Sequence, residues 1–155
     1  MRKQDLCGFL IVSIVLLVTM NLSFGSQATF AGDLSMTGLK TRIETRFFQE
    51  SIAFYSEHLG MTVLESWDDN GDKGVILGLG SSAESEAFLE LAYVETRRTF
   101  EGISLQFRVH DLDVFVDRLR GRLEFHGPEE RPWGSKYLYL EDPTGVQVIL
   151  YEGEL

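Results

Sequence analysis

The sequence predicts an α+β fold built from two βαβββ units, and three observations carry that prediction. Residues 134–152, GSKYLYLEDPTGVQVILYE, alternate apolar and polar side chains on both sides of Asp142-Pro143-Thr144-Gly145, a turn sequence with proline second and glycine last. Two segments carry helical spacing, each preceded by one strand-like stretch and followed by three. The halves match at these landmarks while sharing few letters, so the repeat is one of pattern. Each unit covers one sheet face with its helix and leaves the other free to curve around a cleft.

In chain order, Leu39 to Arg46 mixes apolar Leu39 and Ile43 with polar neighbours and reads as a half-buried strand. Gln49 to Leu59 reads as a helix with Ile52, Tyr55 and Leu59 on its inner face, and Gly60 supplies the left-handed residue that ends it. Met61 to Trp67 and Gly74 to Leu79 form a hairpin about Asn70-Gly71. Ser81 to Ala87 is a polar loop leading into a strand from Phe88 to Tyr93. After a charged connector, Ile103, Leu105, Phe107 and Val109 alternate with polar residues in the clearest strand of the chain. Asp111 can cap a helix whose Leu112, Phe115, Val116 and Leu119 share a face before Gly121. A strand near Leu123 to Phe125, a loop from His126 to Trp133 and the closing hairpin complete the second unit.

The 155 residues suit one domain with a proper core, spanning residues 36–152. A net charge of −10 repels phosphate backbones, which disfavours nucleic acid and favours neutral or cationic small molecules. Residues 1–31 have the parts of a secretory signal: basic Arg2 and Lys3, an apolar run from Cys7 to Met20, and small-residue cleavage sites. Export to a periplasmic or extracellular space is the first expectation. Stretching the run to Phe24 would make a membrane anchor, and a start at Met36 would make a cytoplasmic protein. Cys7, the only cysteine, lies in this leader, so the domain has neither a disulfide nor a thiol nucleophile.

Four motifs carry a family resemblance. Phe54-Tyr55 followed by Leu59-Gly60, then Pro132-Trp133-Gly134, Asp142-Pro143-Thr144-Gly145, and Val148 to Glu152 resemble, in order and spacing, the motifs of the vicinal oxygen chelate superfamily. That superfamily includes glyoxalase I, bleomycin-resistance proteins, fosfomycin-resistance proteins and extradiol dioxygenases. The resemblance covers about Met36 to Glu152. It implies an open, cupped mixed sheet with helices on its convex face, often completed by a second chain, so a homodimer is expected. Fold alone does not fix the reaction, since relatives include metalloenzymes and proteins that only bind.

The resemblance also supplies a test for metal. The glyoxalase I ligand positions, carried over by motif, fall on Lys40, Glu90, Ser104 and Ile149. Only Glu90 can ligate, because an ammonium repels a cation and Ile149 offers no lone pair. The two-His, one-Glu pattern of extradiol enzymes is unmatched as well, and His58, His110 and His126 read as surface or capping residues. The expectation is therefore a metal-free domain without an assigned catalytic residue, binding a small cationic or aromatic molecule. Its candidate ligand-binding residues are Trp67, Glu90, Gln106, Arg108, Trp133, Tyr137 and Tyr151, with Tyr139 as a further rim residue. Glu90 could serve the ligand or simply pair with Lys40 or Arg42. The alternatives are a metal-dependent lyase, isomerase or dioxygenase with a divergent site using Glu90, and a dimerising module with no ligand.

Overall fold

Strand alternation and two glycine-ended helices place the elements where pattern predicts, with instructive departures. The computed structural model describes residues 38–79 and 87–154, so the leader and most of the polar loop after Leu79 lie outside the described residues. The first unit runs β1 (Leu39–Thr45), α1 (Phe48–Ala53), a π-helical turn (Phe54–His58), β2 (Thr62–Asp69), β3 (Asp72–Gly78) and β4 (Ala87–Tyr93). The second runs β5 (Ser104–Arg108), α2 (Leu112–Leu119), β6 (His126–Glu130), β7 (Lys136–Glu141) and β8 (Gln147–Glu152). Each unit is a four-stranded mixed sheet, ordered β1-β4-β3-β2 and β5-β8-β7-β6, with its first and last strands parallel. Two βαβββ modules in an α+β fold are therefore present.

Alternation decides which side chains enter the core. On β1 and β4, Ile43, Leu89 and Leu91 are buried on the helix side, while Lys40, Arg42 and Glu90 take the opposite face. On β7 and β8, Leu138, Leu140, Val148 and Leu150 join a single apolar cluster that also holds Phe48 and Tyr55 of the first module and Leu112 and Leu119 of α2. Asp111 caps α2 as predicted, its Oδ1 accepting from the Asp113 and Val114 backbone N–H groups at 3.0 and 3.2 Å. Glu152 Oε2 accepts from Leu112 N at 2.8 Å, so the helix start is also tied to the last strand. Asn70 and Gly71 both have positive φ, 50° and 89°, the geometry that matches a two-residue turn to the twist of β2 and β3.

The first helix departs from expectation in its second half. Leu59 N–H reaches back five residues to the Phe54 carbonyl, and Met61 N–H reaches the Tyr55 carbonyl, so the helix widens before Gly60 ends it at φ 80°. The widened turn sends adjacent Phe54 and Tyr55 both inward, packed edge to face at 5.0 Å. Ile52 and Leu59, predicted on the inner face with Tyr55, are only partly buried, and Phe48, Ser51 and Phe54 take that role instead.

The predicted strand near Leu123 to Phe125 is absent: Leu123 N–H bonds the Leu119 carbonyl and continues the helix end, with its side chain resting on the core. The strand instead lies at His126–Glu130, inside the predicted loop. It is an edge strand, where Pro128 removes no ladder donor the sheet requires and where polar side chains can face water on both sides.

Two of the family-like motifs meet in space. Tyr55 Oη donates to Asp142 Oδ2 at 2.8 Å, while Asp142 Oδ1 accepts from Thr144 N and Val146 N, each at 2.8 Å. Thr144 Oγ1 donates to Thr45 Oγ1 at 2.8 Å, and Ser51 lies within 3.5 Å of both. All five residues are buried, so their polar atoms are satisfied by each other. This clasp joins α1 and the end of β1 to the β7–β8 turn. Burial, with the adjacent Asp142 carboxylate, pushes the Tyr55 phenol far above its ordinary range. Burial also raises the Asp142 pKa, an effect the backbone N–H groups and Tyr55 hydroxyl oppose.

Candidate functional site

Most of the residues singled out from sequence fall into three separate places. The first is the Glu90 cluster on β1 and β4. Parallel register pairs Arg42 with Glu90, and the long Lys40 side chain reaches it from two residues earlier. Lys40 Nζ lies 2.6 Å from Glu90 Oε2 and Arg42 Nη1 lies 3.3 Å from Oε1. Glu90 is buried and both cations are half-exposed, so the carboxylate has exchanged water for two positive partners. Glu44 extends the network, taking Arg98 at 2.6 Å and Arg42 at 3.7 Å.

The second module repeats the register but not the chemistry. Ser104 pairs with Gln147 and Gln106 with Ile149, so the offset that brings Lys40 beside Glu90 brings Ser104 beside Ile149. An ammonium, a hydroxyl and a buried hydrocarbon at those positions do not fit a divalent cation, and the remaining carboxylate is held by two cations. Among the described residues no group of three or more His, Cys, Asp and Glu side chains converges on a point where a metal could sit.

An aromatic ladder is the second place. Tyr137 stacks against Tyr151 with ring centres 5.8 Å apart and against Tyr139 at 6.4 Å; His126 lies 6.2 Å beyond Tyr139. Antiparallel register makes this row, since Tyr137 pairs with Tyr151 and His126 with Tyr139. Arg131 lies over the Tyr137 and Tyr139 rings at 5.7 and 6.0 Å and donates from Nη2 to Tyr139 Oη. That hydrogen bond, with Glu129 3.2 Å away, holds the guanidinium pKa above its ordinary value. Glu129 also binds His126 at 2.8 Å, so the charges beside the ladder are mutually paired. Sequence reasoning named Tyr137 and Tyr151 and gave Tyr139 a rim position; it did not place Arg131 or His126 beside them, because β6 and its turn were read as loop.

Gln106 and Arg108 line the third place, a cavity of about 720 Å³ at the outer edge of β5, with Leu59, Met61, Phe115 and Arg118. Nothing in the spacing of Leu59 and Arg118 signals that they line one cavity. The two tryptophans belong to other elements. Trp67 crosses β2–β3 onto Gly74, so close that a methyl there would fall 2.1 Å from its ring. Trp133 tips the turn between β6 and β7 at 68% exposure.

Trypanothione-dependent glyoxalase I of Leishmania major is similar at 29% identity and TM-score 0.63, over 76% of this chain and 87% of that one. A superfamily member from Sphaerobacter thermophilus DSM 20745 has 21% identity and TM-score 0.62, over 77% and 98%. TnmS3, an antibiotic binding protein from Streptomyces sp. CB03234, has 18% identity and TM-score 0.59, over 78% and 98%. At such identities the latter two show the fold alone. No curated protein matches the chain. The sequence model of the Glyoxalase/Bleomycin resistance protein/Dioxygenase superfamily matches residues 42–150, most of the chain, and includes both modules and the Tyr55–Asp142 clasp. The chain belongs to the glyoxalase/bleomycin resistance protein/dioxygenase superfamily.

Proposed function

We propose that this domain is a metal-free receptor for a small aromatic or cationic molecule, held against the Tyr137–Tyr139–Tyr151 face. The carrying observation is the Glu90 cluster: the one acidic residue among the four carried-over ligand positions holds Lys40 at 2.6 Å and Arg42 at 3.3 Å. A divalent ion there would have to displace an ammonium and a guanidinium and would gain one carboxylate. The tyrosine ladder offers what a flat ligand needs, a stacked row of rings, and the one guanidinium over it is paired with Glu129 at 3.2 Å. An antibiotic binding protein has the same fold, so a receptor reading is compatible with this architecture. A homodimer is part of this reading, as the superfamily resemblance implies.

The metal-dependent alternative rests on the likeness to a glyoxalase I and on Glu90 as its sole conserved-type ligand. Binding of a planar cationic dye, followed by fluorescence, separates the two. Affinity is expected to survive chelator and to fall at least about tenfold in Tyr137→Ala, the loss of one stacked ring. Affinity that vanishes on chelation, or turnover of a hemithioacetal, would favour the lyase. Native mass spectrometry of the purified chain reports the dimer.

A further inference from the structure

The cavity beside β5 carries charge of the opposite preference. We propose that it is a second ligand site, selective for small amphiphilic anions such as an aliphatic or aryl carboxylate, and independent of the tyrosine face. Its walls are apolar: Leu59, Phe107, Val109 and Phe115 line it, and all four are only partly buried, so they present hydrocarbon that a ligand could still cover. At about 720 Å³ it has the size of a small-molecule site.

Three basic side chains, Arg108, His110 and Arg118, stand on its lining. Arg118 is fixed in place: Nη2 donates to the Glu57 carbonyl at 2.6 Å, and the guanidinium lies over Gly60, where even a methyl group would sit 3.6 Å from Nη1. That contact uses one of five N–H donors and leaves a fork for a carboxylate. Among the described residues, no ion pair or hydrogen bond engages the side chain of Arg108 or of His110. The one acidic residue lining the cavity is Asp111, whose Oδ1 is occupied by the α2 backbone. A chain of net charge −10 repels anions in general, so a pocket that gathers two arginines and a histidine around an apolar floor is a local reversal that selects them.

The test compares two probes with one tail and opposite heads, decanoate and decyltrimethylammonium, titrated below micellar concentration into the full-length chain. Calorimetry is expected to show decanoate binding at least about tenfold tighter, the effect of one charge-assisted hydrogen-bonded head. Backbone amide NMR shifts are expected at Gly60, Phe107 to Asp111 and Phe115. In the Arg108→Gln, Arg118→Gln double variant, the two probes are expected to bind equally. Equal affinities in the wild type, no decanoate binding, or shifts centred on Tyr137, Tyr139 and Tyr151 would each overturn the proposal. The wild-type comparison decides the question even if the double variant fails to fold, and dye binding to the tyrosine face reports separately on the primary reading.

Discussion

Replacing Tyr55 by phenylalanine tests the clasp that joins the two modules. The substitution keeps the buried ring and removes only the hydroxyl, so no cavity larger than one oxygen is formed. What is lost is a 2.8 Å hydrogen bond to a buried carboxylate, and Asp142 Oδ2 keeps no other hydrogen bond from the described residues, whereas Oδ1 retains Thr144 and Val146. Hydrogen bonds to charged groups are worth about 1.5–3 kcal/mol, and stranding the acceptor places this one near the middle or upper part of that range. The pH dependence has a definite sign. Burial raises the folded-state pKa of Asp142, so this carboxyl contributes stability that is complete below its unfolded pKa and is lost as pH rises through the folded value. Tyr55 opposes the rise; removing it moves the folded pKa further up and deepens the loss. Urea denaturation of wild type and Tyr55→Phe, with unchanged m, should therefore show a deficit of about 2 kcal/mol at pH 7 and a smaller one at low pH. A deficit below about 0.5 kcal/mol, or one larger at pH 4, would refute the reasoning.

Three further substitutions probe other links. Asp111→Ala removes the α2 cap and should cost about 1 kcal/mol in urea, with the fold retained because Glu152 still holds Leu112 N. Gly74→Ala drives a methyl into the Trp67 ring, so we expect a loss of about 1–3 kcal/mol and a changed Trp67 emission in a Trp133→Phe background. Tyr139→Phe leaves the ladder's rings in place but removes the acceptor for Arg131; circular dichroism should be unchanged while dye affinity shifts by no more than roughly threefold, since stacking carries the binding.

The fold was legible where a physical signal is local. Each sheet buries one face, so Leu105 to Val109 and Lys136 to Glu152 announce themselves by alternation, and Gly60 and Gly121 end helices at φ 80° and 75°. Edge strand β6 gave no such signal, because His126-Gly127-Pro128-Glu129-Glu130 has no apolar face to alternate. The π-helical turn was equally hidden: Phe54 and Tyr55 are neighbours, and only a widened helix lets both point inward. In the candidate site, strand parity put Glu90 on the face of Lys40 and Arg42 and turned Tyr151 the same way on its own strand, while the pairing of Tyr137 with Tyr151 came from the register. Contacts set by the packing of one element on another left no mark in spacing. Tyr55 finds Asp142 87 residues away, and Arg118 finds the Glu57 carbonyl 61 residues away.

In the proposed reading, Lys40 and Arg42 hold Glu90 where a metal-binding relative would need room for an ion. Elemental analysis of the full-length chain, desalted after exposure to zinc, nickel, manganese and iron(II), tests it directly in wild type and Glu90→Gln. We expect both proteins to retain the same small, substoichiometric amounts. One equivalent of metal per wild-type chain, abolished by Glu90→Gln, would contradict the account.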